Sequence, residues 1–490
     1  MTDSIIMTDS IIKSTDLDYS IHKQVHSNTR WTKVTSQNQT SFSTTSVTTS
    51  SGLFELIIPA NVINLSKSRL QFGVTVTSPA VVVPVLSPNA GNYFSRMSLS
   101  TLSGTLLCDI SNVGRFLQMI LPMSTSNEEL MTYPQGMPQS TVAGVVNVIN
   151  VQNTAALAKT TPFGALQRSD TPFIAAGTAG STNIIGDLSR HPVQHNGIRQ
   201  WVYTATAASD ACIWFDVSLG ELFKHTLLSV NKSLYFGGES LSLQLYYDAP
   251  QSYAIFPTLA TTSLATGLVT AGSTTVITSP TLYCYQEMNL DLAKTIMDKC
   301  NGEGIKLPFS YIYGSKQVFS ASTQQTVQQT INSSLGSSLL FFASAPFDST
   351  DTGAGYNSNA IVAIARNAVT ATVLSSYNTF IDSIPIQSPS GFDCTLSEHY
   401  RANQDNFVGA CSPLSLVEYN YNFTHIDNFC GMALHEISSI GQTRVNGMSL
   451  GMNRVWSIQA NWAASIAKNW YNFWSVQRLL EIKGGRVSVM

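Results

Sequence analysis

From Trp31 onward the signals are those of strands and turns, with runs in which apolar and polar residues alternate with a period of two, the spacing that places every second side chain on one face of a β-strand. Met97 and Leu99 alternate with serines, Ser103 and Gly104 supply a turn, and Leu106 and Cys108 resume the alternation, which predicts a hairpin. Leu241, Leu243, Leu245 and Tyr247 alternate with Ser, Gln and Tyr, so one face of that strand should lie against a core. Near the end of the chain, Asn446-Gly447 and Gly484-Gly485 each separate two β-compatible runs. Both dipeptides tolerate the positive φ angles of tight hairpin turns.

Helical spacing is rare. Ser111 is expected to cap a segment in which Val113, Phe116, Leu117, Ile120 and Leu121 share a face until Pro122 stops it. A second helix is expected from about Asn289 to Cys300, with Ala293, Ile296, Met297 and Cys300 on one side and Gly302 beyond its end. A third, short one is marked by the capping box of Thr395 and Glu398 ahead of Tyr400.

Between these signals run neutral stretches, 138–189, 250–280 and 349–360, rich in Ala, Thr, Gly and Ser. Loops this long inside a compact domain have a task of their own or are insertions, and here they read as insertions at the ends of a β-sandwich. After the second helix, Gly302 and Gly304 mark a boundary, and a fresh β pattern opens at Lys306. The expected fold is therefore all-β: two tandem antiparallel β-sandwiches of about eight strands each, with a few short helices and long loop insertions. The first unit spans 31–302, with insertions near 138–189 and 250–280, and the second spans 303–490. Residues 1–30 read as a polar, flexible arm. Its first twelve residues are a perfect repeat of six, which leaves Met7 as an alternative start.

Composition sharpens the picture. Charged residues make up 11% of the chain, against about 25% in an average soluble protein. A surface so poor in charge suits a subunit whose flanks are covered by neighbours; a β-rich protein with long neutral loops is the plainer alternative. The formal net charge of −3 argues against nucleic acid as the main partner, since phosphate binding is driven by Lys and Arg. Toward the C-terminus Arg444, Arg454, Lys468, Arg478, Lys483 and Arg486 meet only Glu481, which fits solvated strand edges and interface pairs better than a patch facing genome, anionic lipid or an acidic partner. The seven cysteines are spread singly, without a C-x-x-C, so neither a disulfide framework nor a zinc site is expected, and folding in a reducing compartment is. No signal peptide and no membrane-spanning apolar run are expected, so the sequons at Asn38, Asn64, Asn231, Asn332 and Asn422 read as chance matches.

Catalytic patterns are missing. His22 with His26 lies in the arm expected to be flexible, and His191 with His195 contains Pro192, which removes the helical i, i+4 geometry, so neither pair is read as a metal site. There is no G-x-S-x-G elbow, P-loop or H-E-x-x-H. Asp348 to Gly353 partly matches a calcium loop but lacks the terminal Glu and reads as a polar turn. Glu239 and Glu398 are isolated, whereas glycoside hydrolysis needs facing carboxylates. The aromatic group Trp456, Trp462, Trp470, Tyr471, Phe473 and Trp474 fits core or interface packing better than stacking on sugars or bases. No catalytic, cofactor-binding or metal-ligating residue is assigned, and the protein is not expected to be an enzyme.

The order of these features resembles the double jelly-roll major capsid proteins of Polinton-like viruses and virophages. The segments that carry the resemblance are Asp18 to His22, Leu307 to Tyr313, which opens the second half, and Arg478 to Val489, which closes it. The likeness runs from about residue 18 to the C-terminus and is one of architecture rather than of a diagnostic motif. It implies two jelly rolls in tandem and a homotrimer whose six jelly rolls form a nearly hexagonal block tiling the icosahedral shell of a double-stranded DNA virus. It also implies neighbouring capsomers, penton and minor capsid proteins as partners, no sequence-specific nucleic acid, insertions that form outward towers, and a place in the virion after folding in the host cytoplasm or nucleus. Two other readings stay open: another virion β-protein, such as a vertex or spike subunit, and a carbohydrate-binding or carbohydrate-active jelly-roll protein.

Overall fold

The fold is taken from a computed structural model, which describes residues 28–46, 52–78, 85–86, 90–117, 136–139, 147–151, 158–161, 202–203, 209–250, 253–255, 274–278, 280–348, 374–385, 392–393, 433–436 and 448–490. The first half is built from eight main strands: β1 (Thr29–Thr35), β2 (Leu53–Ile58), β3 (Ile63–Ser78), β4 (Phe94–Thr101), β5 (Leu106–Ser111), β6 (Ser209–Ser218), β7 (Leu241–Tyr247) and β8 (Thr281–Glu287). One sheet has the order β1-β8-β3-β6 and the other β2-β7-β4-β5, all antiparallel. In positions along the chain these are first-eighth-third-sixth and second-seventh-fourth-fifth, the nested Greek-key order of a jelly roll.

Period-two alternation decides which side chains fill the space between the sheets. On β2, Phe54, Leu56 and Ile58 point inward while Leu53, Glu55 and Ile57 are half-buried, and on the neighbouring β7 the inward set is Leu241, Leu243, Leu245 and Tyr247, as the alternation predicts. Phe72 of β3 stacks on Phe215 of β6 at 4.8 Å and meets Phe94 and Tyr247 of the opposite sheet edge-on at 5.3 and 6.0 Å. This aromatic group spans the sandwich and supplies much of its buried apolar area.

The hairpin expected at Met97 to Cys108 is β4 and β5, turned at Gly104 with φ +97°. The expected helix after it begins differently. Ser111 ends β5, and Asn112, in the left-handed region, accepts the Phe116 N–H through its carbonyl, so the helical residues described are 113–117. Helix α1 (Leu290–Asn301) follows β8. The Asn289 side chain caps the Asp291 and Leu292 N–H groups, Ala293, Ile296 and Cys300 are buried, and Gly302 closes it. The capping box at Thr395 and the turn at Asn446-Gly447 lie outside the described residues.

The second half contains β9 (Ile305–Ile331), β10 (Ser338–Asp348), β11 (Leu374–Ile381), β12 (Ile384–Pro385), β13 (Phe392–Asp393), β14 (Ala433–Glu436), β15 (Arg454–Lys483) and β16 (Arg486–Val489). Two of these strands are very long, and both bend back. Trp456 and Trp474 of β15 meet edge-on with ring centroids 5.4 Å apart, whereas a straight strand would hold them roughly 60 Å apart at ~3.4 Å per residue. Trp462 and Trp470 meet at 6.4 Å nearer the bend. Register shifts at Phe319, Ser322 and Gln324 opposite Lys468, Ile466 and Asn461 make the corner. Small residues, Ser320, Ala321, Ala463 and Ala464, occupy it.

Each long strand thus serves both layers. One layer is the first part of β9, the second part of β15, β10 and β14; the other is the second part of β9, the first part of β15, β11, then β12 and β13. Counting each bent strand as two restores the order of the first half. Both halves are jelly rolls, and among the described residues no strand before α1 pairs with one after it.

Successive strands of a jelly roll run in opposite directions, so alternate connections share an end. The strand ends Ser78, Ser111 and Tyr247 in the first half and Asp348 in the second therefore lie at the end where β9 and β15 bend. In the chain, the neutral stretches 138–189, 250–280 and 349–360 belong to the connections that leave these strand ends. In the first half these connections contribute Val85–Leu86, Asn147–Val151, Ala158–Thr161, Val202–Tyr203 and Ala254–Ile255 to one separate sheet.

Candidate functional site

The joint between the jelly rolls is built around β15. From Asn469 to Val476 every residue of β15 is buried. Trp474 faces Trp456 inside its own sandwich, while Phe473 meets Phe116 of the first half at 5.2 Å and Tyr471 lies under the Arg115 guanidinium at 5.5 Å. A strand covered on both faces needs large side chains at successive positions. Gly314 of β9 is the close approach: a Cβ there would come 2.9 Å from Phe473 and 3.1 Å from the Ser111 hydroxyl.

Along the same joint β5 packs beside the first part of β9. Arg96 makes a bidentate pair with Asp109 at 2.8 Å. Arg478 lies 4.4 Å over the Tyr311 ring, and burial pushes the Tyr311 hydroxyl above its ordinary range. His225 meets Phe341 edge-on at 5.1 Å, and its imidazole is pushed down to about 4 by burial and, secondarily, by Lys224.

The turns at the opposite end from the long connections also meet. The turn of β15 and β16 carries Gly484 and Gly485 at positive φ, as expected of that pair, and a Cβ on Gly237 would come 2.8 Å from the Gly485 carbonyl carbon. Thr105 donates to the Val487 carbonyl at 3.4 Å. Gly237 and Thr105 belong to the short-turn end of the first half, so the two jelly rolls stand side by side pointing the same way.

Sheet edges expose unpaired peptide groups and invite unwanted pairing. Here amide side chains cap them. The Gln317 amide donates to the Gln328 carbonyl at 2.6 Å and accepts from the Gln328 N–H at 3.3 Å, sealing the second part of β9 on the side away from β15. In the first half the corresponding strand, β2, is sealed by Asn38 and Gln39, whose amides both donate to the Leu53 carbonyl at 2.6 Å, and by the Asn38 oxygen, which accepts from Glu55 N–H at 3.1 Å. Nothing in the sequence pattern separates these amides from the many other Asn and Gln residues.

The residues weighed for chemistry are dispersed or engaged. His22, His26, His191, His195, Glu398 and Arg444 lie outside the described residues; Asp348 ends β10 and the rest of its polar run is also outside them. Glu239 accepts from Ser103 at 2.7 Å. Arg454 pairs with Asp382 at 2.7 Å and Lys468 sits 5.9 Å over the Trp462 ring, so these two C-terminal cations are engaged within the chain, while Glu481 meets Lys306 at 3.6 Å. Trp456, Trp462, Trp470, Tyr471, Phe473 and Trp474 are all buried, in core and joint. Cys108 and Cys284 are buried free thiols pushed up to about 12 by burial, and Cys300 to about 11. Two of the sequon asparagines bind each other: Asn64 is buried and donates to Asn231 at 2.9 Å.

No family model matches the chain, and no curated protein matches it. Solved structures do. The Sputnik virophage structure solved by cryo-EM superposes with a TM-score of 0.52 at 12% identity, covering 93% of this chain and 89% of that one. The PBCV-1 virus capsid chain gives 0.51 at 8%, covering 95% and 97%, and the mavirus major capsid protein gives 0.50 at 10%, covering 94% and 90%. Over nearly its whole length the chain therefore shares the double jelly-roll fold of these proteins, with little identity of sequence.

Proposed function

We propose that this chain is the major capsid protein of a double-stranded DNA virus, a structural subunit rather than an enzyme. The observation that carries the reading is the parallel stance of two jelly rolls joined through a strand buried on both faces. That arrangement makes a rigid block with short turns at one end and long connections at the other. The similarity in fold to the mavirus major capsid protein and the PBCV-1 capsid chain supports the same reading.

In this role, units 31–302 and 303–490 each supply one jelly roll, three copies associate into a pseudo-hexagonal homotrimer, and trimers tile an icosahedral shell beside penton and minor capsid proteins. The connections gathered at one end form the outer surface, residues 1–30 serve as an arm toward neighbouring subunits, and the finished protein resides in the virion. Buried free thiols suit folding in the reducing cytoplasm or nucleus of a host.

Negative-stain microscopy and mass measurement of the purified chain test this. The expected result is a pseudo-hexagonal particle of three times the 53.1 kDa chain mass. Fivefold or isolated units would favour a vertex or spike subunit, and a monomer that binds or cleaves glycans would overturn the capsid role.

A further inference from the structure

Large apolar side chains left in solvent gather at one end of the molecule. Of the nine that are exposed among the described residues, six, Leu102, Leu106, Met288, Leu290, Ile384 and Met452, stand on or beside the short turns. Single exposed residues of this kind are ordinary, whereas a gathering at one end marks a surface with an occupant. Two of the six lie where α1 begins: Leu290, its first residue, is 83% exposed and Met288 is 40% exposed.

The chain enters the first jelly roll at the same place. The Asn28 and Asn289 N–H groups both donate to one oxygen of the Glu287 carboxylate at 2.9 Å, and the Met288 N–H donates to the Asn28 carbonyl at 2.6 Å. Glu287 is buried, so one carboxylate fixes residue 28 beside Met288 and Leu290, and all that precedes it is tethered there. Within the tethered segment Leu17, Tyr19 and Ile21 alternate with Asp16, Asp18, Ser20 and His22. In an extended chain that pattern sets three large apolar side chains on one side. Fully extended, Ile21 reaches at most about 25 Å from Asn28 and Leu17 about 40 Å, so both can return to the start of α1.

The tether selects the occupant. Docking on the same chain is intramolecular, at an effective concentration that a second copy or another protein must outcompete. Charge agrees, because Lys294, one turn beyond Leu290, is exposed, and Asp16 and Asp18 flank Leu17. An anionic lipid surface would repel a segment that holds Asp3, Asp9, Asp16 and Asp18 against Lys13 and Lys23.

We propose that residues 17–21 dock through Leu17, Tyr19 and Ile21 on the Met288 and Leu290 surface of their own chain, covering the start of α1 and leaving residues 1–15 as the part of the arm that reaches neighbours. The docking is a property of one chain and goes beyond the capsid role, holding in a monomer and in a trimer alike.

Trypsin reads it on the full-length protein, because Lys13 lies before the docked residues and Lys23 just after them. In the wild type, cleavage after Lys23 is expected to be slower than after Lys13 by about tenfold or more, since proteolysis follows the population of the undocked form. Leu290→Asp removes the apolar contact at an exposed position and puts an acid in the first turn of α1, where it is tolerated. It is expected to bring the two rates together with an unchanged circular dichroism spectrum. Equal rates in the wild type, or a Lys23 rate that Leu290→Asp leaves unmoved, would overturn the proposal. To tell the same chain from a neighbour, the double variant Ile21→Cys with Leu290→Cys is co-assembled from isotope-labelled and unlabelled chains, treated with a bis-maleimide and compared with the wild type and its seven native cysteines. The two introduced thiols are expected to join within one isotope. Mixed-isotope cross-links would place the segment on another copy and count against docking in its own chain. Any of these failures with a wild type still trimeric by mass leaves the capsid reading standing.

Discussion

The Gln325 carboxamide holds the corner of the second jelly roll closed: its oxygen accepts from the Trp470 indole N–H at 2.8 Å and its nitrogen donates to the Ile466 carbonyl at 2.7 Å. Gln325 is buried at the start of the second part of β9, and Trp470 lies just past the bend of β15. One side chain thus ties both bent strands together across the fold-over. Replacing it by Leu strands an indole donor and a carbonyl in an apolar setting, at a cost of about 1–3 kcal/mol for each group left unsatisfied. Gln325→Leu is expected to lower the urea midpoint with little change in slope.

Gln317 does a different task at the same corner. Its amide seals the Gln328 peptide, so Gln317→Ala leaves an uncharged strand edge open while removing little buried area. Stability is expected to fall by about 1 kcal/mol or less. Light scattering at rising protein concentration is expected to show association that the wild type lacks. Unchanged scattering would mean that the cap does not protect the edge.

Phe473 is the plug of the joint, facing Phe116 and leaving no room for a side chain at position 314. Phe473→Ala should cost about 3–5 kcal/mol. Because the lost contact lies between the jelly rolls, calorimetry is expected to resolve two unfolding transitions where the wild type has one.

His225 links stability to pH. Its folded value of about 4 lies below the ordinary 6.5 because burial, and then Lys224, disfavour the charged ring. The unfolded chain therefore binds this proton at a higher pH than the folded one. The contribution is fully present above pH 6.5, falls as pH drops toward 4, and levels off below it. His225 also has φ +58°, so Asn, which tolerates the left-handed region, is the substitution of choice. His225→Asn is expected to flatten the melting temperature against pH across that window.

Much of the fold was legible because it depends on neighbours in the chain. The hairpin of β4 and β5, the inward set of β7, the capped helix α1 and the Gly484-Gly485 turn each rest on local periodicity or on a backbone angle that few residues tolerate. Ser111 misled for a local reason too: the β5 ladder with β4 continued through it, and Asn112, able to adopt a positive φ, took over the start of the helix. The crowd of aromatics between Trp456 and Trp474 marked packing correctly but did not reveal that they sit on one strand folded against itself. Alternation cannot register that bend, because it names the face of each residue and not the direction in which the strand continues.

The amino-acid order alone determined that this is an all-β protein in two halves, poor in charge, and with neutral insertions between its strands. Tertiary structure alone decided that both halves adopt the same strand order, that β9 and β15 each serve two layers, and that the jelly rolls stand in the same sense. It also chose which amides close the edges. Side-chain period and turn angles are properties of a few adjacent residues, whereas strand neighbours, corners and joints come from contacts between residues hundreds of positions apart. Many sequences satisfy those contacts equally well, so the fold of the Sputnik, PBCV-1 and mavirus structures persists here at 8–12% identity.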